Sequence, residues 1–178
     1  QKQHVEMTRD IATRFNHHYG EVFTIPDVSI EEDAGVLPGI DGQKMSKSYQ
    51  NVIPIFLSKD DLRKRIMKIK TDSKEPGEPK DIETSSIFKI YRAFASEELT
   101  EDLAKKYKEG VAWGEAKELL FELLEENINP FRKNYVELVE DRAELEKILI
   151  SGANKALDIS TPIIQKVRQA VGIKGFGD

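Results

Sequence analysis

The chain has 178 residues, 39% of them apolar and 33% charged, with a formal net charge of −5, a make-up that fits one large or two small folded domains. It contains no cysteine, which excludes disulfides, thiolate zinc sites and iron–sulfur clusters and makes the cytoplasm the default setting. No apolar run nears the roughly 20 residues that span a bilayer, and no secretory or transit pattern stands at the front.

Taken in chain order, Val5, Thr8, Ile11, Ala12, Phe15 and Tyr19 recur at helical spacing, which predicts an amphipathic helix over 3–18 stopped at Gly20. The pattern starts at once after Gln1, as in a chain cut from something longer. "VFTIPDVSI" is β-branched and predicts a short strand broken by Pro26. A loop punctuated by Gly35, Pro38, Gly39 and Gly42 follows. Ser58 is placed to cap the next helix, with Asp60 and Asp61 in its first turn and Leu62, Ile66 and Ile69 as its buried stripe. Residues 71–83 carry two prolines and no period, so they read as a connector. Further helices are predicted at about 84–95, 97–109, 115–128, 130–141, 143–157 and 162–171. The last would be capped by Thr161, with Pro162 at its first position and Gly172 past its end. The fold class is therefore mainly α: a short mixed segment and then a helical domain of about 120 residues.

Charge is unevenly spread. Residues 44–70 carry 8 Lys and Arg against 2 Asp and Glu, in a chain that is acidic elsewhere. The block begins at "GIDGQKMSKSYQN", where Lys44 and Lys47 stand three apart beside Ser46 and Ser48. A polyphosphate leaving group gains charge as its bond to phosphorus breaks, and ammonium groups brought to the departing oxygens stabilise it. Flexible lysines suit that task, hydroxyls add donors, and Gly39 and Gly42 would let the loop close. The order of residues is not that of a Walker A loop. The helix beyond carries Lys59, Arg63, Lys64, Arg65, Lys68 and Lys70, whose cations either follow RNA phosphates or stay solvated. Arg132 with Lys133, and Lys166 with Arg168, are lesser candidates for the same role. His4, His17 and His18 lack a third ligand at metal spacing. Trp113 reads as a helix–loop contact, with base stacking as the alternative, and Leu119, Leu120, Leu123 and Leu124 read as core.

"KMSKS" is the second signature of class I aminoacyl-tRNA synthetases, and the text around it resembles their bacterial tryptophanyl family along the whole chain. "QKQHVEMTRDIATRFN", "DGQKMSKSYQNVIPIF", "TDS" at 71–73, "GVAWGEAK", "NPFRKNY" and "ILISGANKALDISTPIIQKVRQAVG" are the matching landmarks, in order. The resemblance implies a catalytic-domain remnant of Rossmann type over residues 1–55 and a helical anticodon-binding domain over 56–178. It implies ATP, carried with Mg2+, tryptophan and its tRNA as partners, and a homodimeric full-length enzyme. Lys44, Lys47 and Ser46 would hold the pyrophosphate, Met45 and Ser48 would lie on ATP, and Gln1 would join the tryptophan and ATP pocket. Lys64, Lys68 and Arg132 would meet tRNA. The family's first signature, His-x-Gly-His, is not among these residues, so the lysine loop is expected to be mobile and the chain by itself inactive. A stand-alone helical RNA-binding module, or a tyrosyl member of the class, is the alternative.

Overall fold

The computed structural model describes residues 1–30 and 36–173, and these are mainly helical. Among the described residues six α-helices follow one another: α1 (Lys2–Tyr19), α2 (Lys59–Met67), α3 (Ser86–Arg92), α4 (Glu97–Glu109), α5 (Trp113–Glu140) and α6 (Arg142–Ala170). Among the described residues a single 3-10 turn, Lys47–Tyr49, lies between α1 and α2. The chain divides into two compact units, residues 1–30 with 138–178 and residues 31–137.

In the second unit the caps act where the sequence puts them. The Ser58 hydroxyl accepts the Asp61 N–H, Ser85 that of Phe88 and Ser96 that of Leu99, each satisfying one orphan donor of a first turn. Leu62, Ile66 and Ile69 of the α2 segment pack with Ile87 and Ile90 of α3, Leu103 and Tyr107 of α4, and Leu120 and Leu124 of α5. This cluster is the core, and Ile40 and Ile53 from the loop on either side of the 3-10 turn pack against it.

The connector over 71–83 has no helix but is closely tied. Lys80 is buried, donates to the Glu75 and Glu78 carbonyls at 3.0 and 3.1 Å, and lies 5.3 Å from the Trp113 ring centroid. Trp113 Nε1 in turn donates to Asp72 at 2.9 Å, the helix–loop contact expected of it. The Gly77 N–H donates to the Gly110 carbonyl. A side chain at Gly110 would meet Gly77 backbone at 2.3 Å, at a φ of +86° that disfavours other residues in any case.

In the first unit, α1 ends at Gly20 with φ 90°. Its buried Asn16 accepts the Val22 and Phe23 N–H groups and donates to the Phe23 carbonyl, folding the chain back past the helix end. Of the predicted stripe only Ala12 is buried, whereas Ile11 and Tyr19 are exposed.

Three expectations change. Residues 22–30 form no strand, because no neighbouring segment among the described residues supplies a ladder for their N–H and C=O groups. Helices expected to break at Pro130 and Pro162 run through both, so Thr161 lies inside α6 and caps nothing. A proline removes one helical hydrogen bond, and the long runs on either side keep their own. The α6 segment buries no residue at all.

Core and surface should therefore respond differently. Leu120→Ala is expected to lower the unfolding free energy by about 2–5 kcal/mol. Leu149→Ala, at a site 64% exposed on α6, should change it by less than about 0.5 kcal/mol. Urea melts of the two variants check this; equal losses would place the core elsewhere.

Candidate functional site

The lysine loop is built on a small antiparallel closure. Pro38 bridges Lys44, the Met45 N–H donates to the Leu37 carbonyl at 3.2 Å, and the Gly39 N–H donates to Gln43 at 2.7 Å. Gly42, at φ 86°, makes the turn between them. Gly39 is required for a different reason: a Cβ there would stand 2.6 Å from the Asn51 side chain and carbonyl.

Asn51 closes the loop from its far end. Its side chain is 1% exposed, and its Oδ1 accepts the Ser46 N–H at 2.8 Å. Its Nδ2 donates to Asp41 at 2.8 Å and to the Lys44 carbonyl at 3.1 Å. The backbone carbonyl accepts the Ile40 N–H at 3.0 Å, and the Ile40 carbonyl accepts from Lys70 at 2.8 Å. Contrary to a loop free along its length, its base is pinned.

What remains outside is the set of candidate side chains. Lys44, Lys47 and Ser48 are exposed and Ser46 half-buried, and neither ammonium has an ion-pair partner among the described residues. The Met45 side chain lines an apolar cleft of about 320 Å³ with Ile90, Leu124 and Ile128. The loop thus presents two cations three residues apart and anchors the methionine between them. Gln1 lies in the other compact unit, exposed, with its carbonyl accepting the first N–H groups of α1.

The basic helix resolves into two kinds of cation. Arg63 pairs with Glu118 of α5. Arg65 Nε donates to the Val52 carbonyl at 2.9 Å and its Nη2 to that of Gln50. Lys64 makes only an exposed pair with Asp61 at 3.4 Å, and Lys68 is exposed without a partner among the described residues. Arg132 is 11% exposed at its side chain and faces Glu125 at 2.9 Å, with its Nε and Nη2 lacking acceptors among the described residues. Its guanidinium is thus turned towards a half-buried carboxylate and away from open solvent. In the sequence Asn51 stands inside a motif and Arg65 inside a charge run, and the pattern assigns neither its contact. An Asn following the loop within hydrogen-bond reach of its start was the signal for the first; Arg65 had none, since its partners are backbone.

A family model described as tRNA synthetases class I (W and Y) matches residues 1–128. The tryptophan–tRNA ligase of Pseudomonas syringae pv. tomato is 46% identical over 99% of this chain, and that of Pseudomonas aeruginosa 48% over the same share. The chain spans 40% of the length of each. A crystal structure of the tryptophanyl-tRNA synthetase of Campylobacter jejuni, complexed with ADP and tryptophan, superposes with a TM-score of 0.75 at 42% identity. It is matched over 97% of this chain and 54% of its own.

The Asp41 carboxyl carries a pH signature for the loop base. The hydrogen bond from Asn51 holds it below the ordinary 3.8; burial opposes, while the Gln43 N–H and nearby Lys70 assist. A lowered acid stabilises the folded form above the ordinary value and loses that contribution as pH falls through the still lower folded one. The Ser46 amide resonance should therefore be flat from about pH 5 to 8 and move only below 3.8. A transition between pH 5 and 8 would assign the loop base to another group.

Proposed function

The chain belongs to the class I tRNA synthetases of the tryptophan and tyrosine group, and on that premise we propose that it is part of a ligase joining tryptophan to its tRNA with ATP. In that reaction the tryptophan carboxylate attacks the α-phosphate of ATP, pyrophosphate leaves, and the adenylate passes its acyl group to the tRNA terminus. The observation that carries the reading is a pair of lysines with no ion-pair partner among the described residues, on a loop pinned at its base.

Lys44 and Lys47 hold the leaving pyrophosphate, whose charge rises in the transition state. The Ser46 and Ser48 hydroxyls add donors, and the Met45 backbone lies by the adenine. Mg2+ enters with ATP as part of the substrate. Gln1 belongs to the tryptophan and ATP pocket. Residues 1–55 are the end of the catalytic domain and residues 56–178 the anticodon-binding domain. Lys64 and Lys68 follow tRNA phosphates, and Arg132 assists less, since its charge already faces Glu125. The complete enzyme is a cytoplasmic homodimer; among the described residues no helix is long and apolar enough to cross a membrane. Tryptophan is preferred to tyrosine because the relatives quoted above carry that name, and a pure RNA-binding module would have no need of a phosphate clamp.

Two measurements test this. Co-expressed with the remaining portion of such a ligase, residues 1–178 should restore tRNA charging, and alone they should give no ATP–pyrophosphate exchange. In the completed enzyme Lys44→Ala or Lys47→Ala should lower the exchange rate about 10²–10³-fold with the tryptophan KM little changed, the scale of losing one transition-state charge donor. Unchanged exchange would remove the clamp. Separately, Lys64→Gln with Lys68→Gln should raise the tRNA KM, most of all at low salt; no effect would make these lysines solvated surface.

A further inference from the structure

Asn51 is the most buried polar residue described in the chain, and its side chain serves the lysine loop throughout. Both Nδ2 hydrogens and Oδ1 are engaged, on Asp41, Lys44 and Ser46. The Lys44 carbonyl and the Ser46 N–H flank Met45, so one amide spans the arc that carries the first lysine. The second lysine opens the 3-10 turn, and that turn closes on Gln50, at φ 52° among the described residues the single non-glycine in left-handed backbone. Gln50 is the residue before Asn51. An eight-residue segment, 44–51, is therefore closed on itself by its last side chain.

The second observation comes from α2. Arg65 is half-buried and its planar fork grips the carbonyls of Gln50 and Val52, the residues on either side of Asn51. A guanidinium presents donors in fixed relative directions, which an ammonium does not. The left-handed carbonyl of Gln50 and the position of Asn51 are thus set from a helix whose adjoining stripe, Leu62 and Ile66, is buried in the core.

We propose that Asn51 and Arg65 are positioning residues of the lysine loop: Asn51 fixes the backbone that carries Lys44 and Lys47, and Arg65 fixes Asn51. The inference rests on the loop being the pyrophosphate clamp, and it makes α2 a working part of that clamp. An Asp at 51 keeps an acceptor for Ser46 but loses both donors and faces Asp41 with like charge. A Lys at 65 keeps the charge and one bond at most.

The experiment has two arms. In the 178-residue chain, Asn51→Asp and Arg65→Gln should each speed amide exchange of Ser46 at least tenfold while the α5 core amides, such as Leu120, stay protected. Arg65→Lys should fall between. Unchanged Ser46 exchange in Arg65→Gln overturns the proposal, and so does loss of core protection in both variants, which would make the two residues general stabilisers. In the completed ligase Arg65→Gln should lower kcat for ATP–pyrophosphate exchange tenfold or more with the tryptophan KM unchanged, and Arg65→Lys should restore part of it. Sensitivity to Lys44→Ala with indifference to Arg65→Gln defeats this proposal alone. Indifference to Lys44→Ala and Lys47→Ala defeats the clamp instead, and the exchange data then decide the positioning role by themselves.

Discussion

The apolar stripe of α2 is the constraint from which the geometry of the lysine loop follows. Leu62, Ile66 and Ile69 are almost wholly buried against α3, α4 and α5, and a helix with one side fixed has its other directions fixed as well. Arg63 is thereby brought to Glu118 on α5, and Lys117 of α5 donates to the Met67 carbonyl at the end of α2 at 3.0 Å. Arg65 is brought to the carbonyls around Asn51. Rotating α2 by one residue, about 100°, would break all of these at once. The loop therefore inherits its position from a core that contains no catalytic group.

Local signals in the sequence predicted local structure well. The Ser58 cap, the stop at Gly20, the α2 stripe and the α4 limits all depend on neighbours within about four residues, which is the range that periodicity and capping report. Pro130 and Pro162 misled because a proline disfavours a helix by a finite amount, and the residues around it outvoted it. Residues 22–30 misled the other way: β-branched composition describes a segment that fits a sheet, and a sheet needs a partner. The candidate site divides along the same line. Lys44 and Lys47 stand out as candidates because their spacing is local. The job of Arg65 was not legible, since a carbonyl 13 or 15 residues away leaves no mark on the side-chain pattern.

Buried polar groups in this chain fall into satisfied and unsatisfied sets, and the contrast is informative. Asn51, Asn16 and Lys80 each meet backbone groups that would otherwise lack partners, so their burial organises a loop at little net cost. The Arg132–Glu125 pair leaves Nε, Nη2 and one carboxylate oxygen without a hydrogen bond among the described residues. An ion pair removed from water with donors unmet is a weak source of stability. Polar order in the second unit is therefore concentrated at the lysine loop and the 72–80 connector, while α5 around Pro130 carries a local deficit.

The basic block, read as one feature in the sequence, separates into two chemistries once the partners are known. Its arginines are fixed: Arg63 on a carboxylate, Arg65 on two carbonyls. Both uses exploit a planar, always-charged fork whose directions are set by the side chain itself. Its lysines stay largely free: Lys44, Lys47 and Lys68 have no ion-pair partner among the described residues, and Lys64 has only an exposed one. An exposed pair of that kind contributes little and releases its cation readily. A mobile ammonium can follow a phosphate whose charge and distance change during reaction, which a guanidinium locked into the fold cannot do. The division explains why a run of eight cations can both build the loop's scaffold and leave charge available at its tip. It also separates the effects of substitution: loss of an arginine disorders the support, and loss of a lysine leaves the support intact and removes the charge.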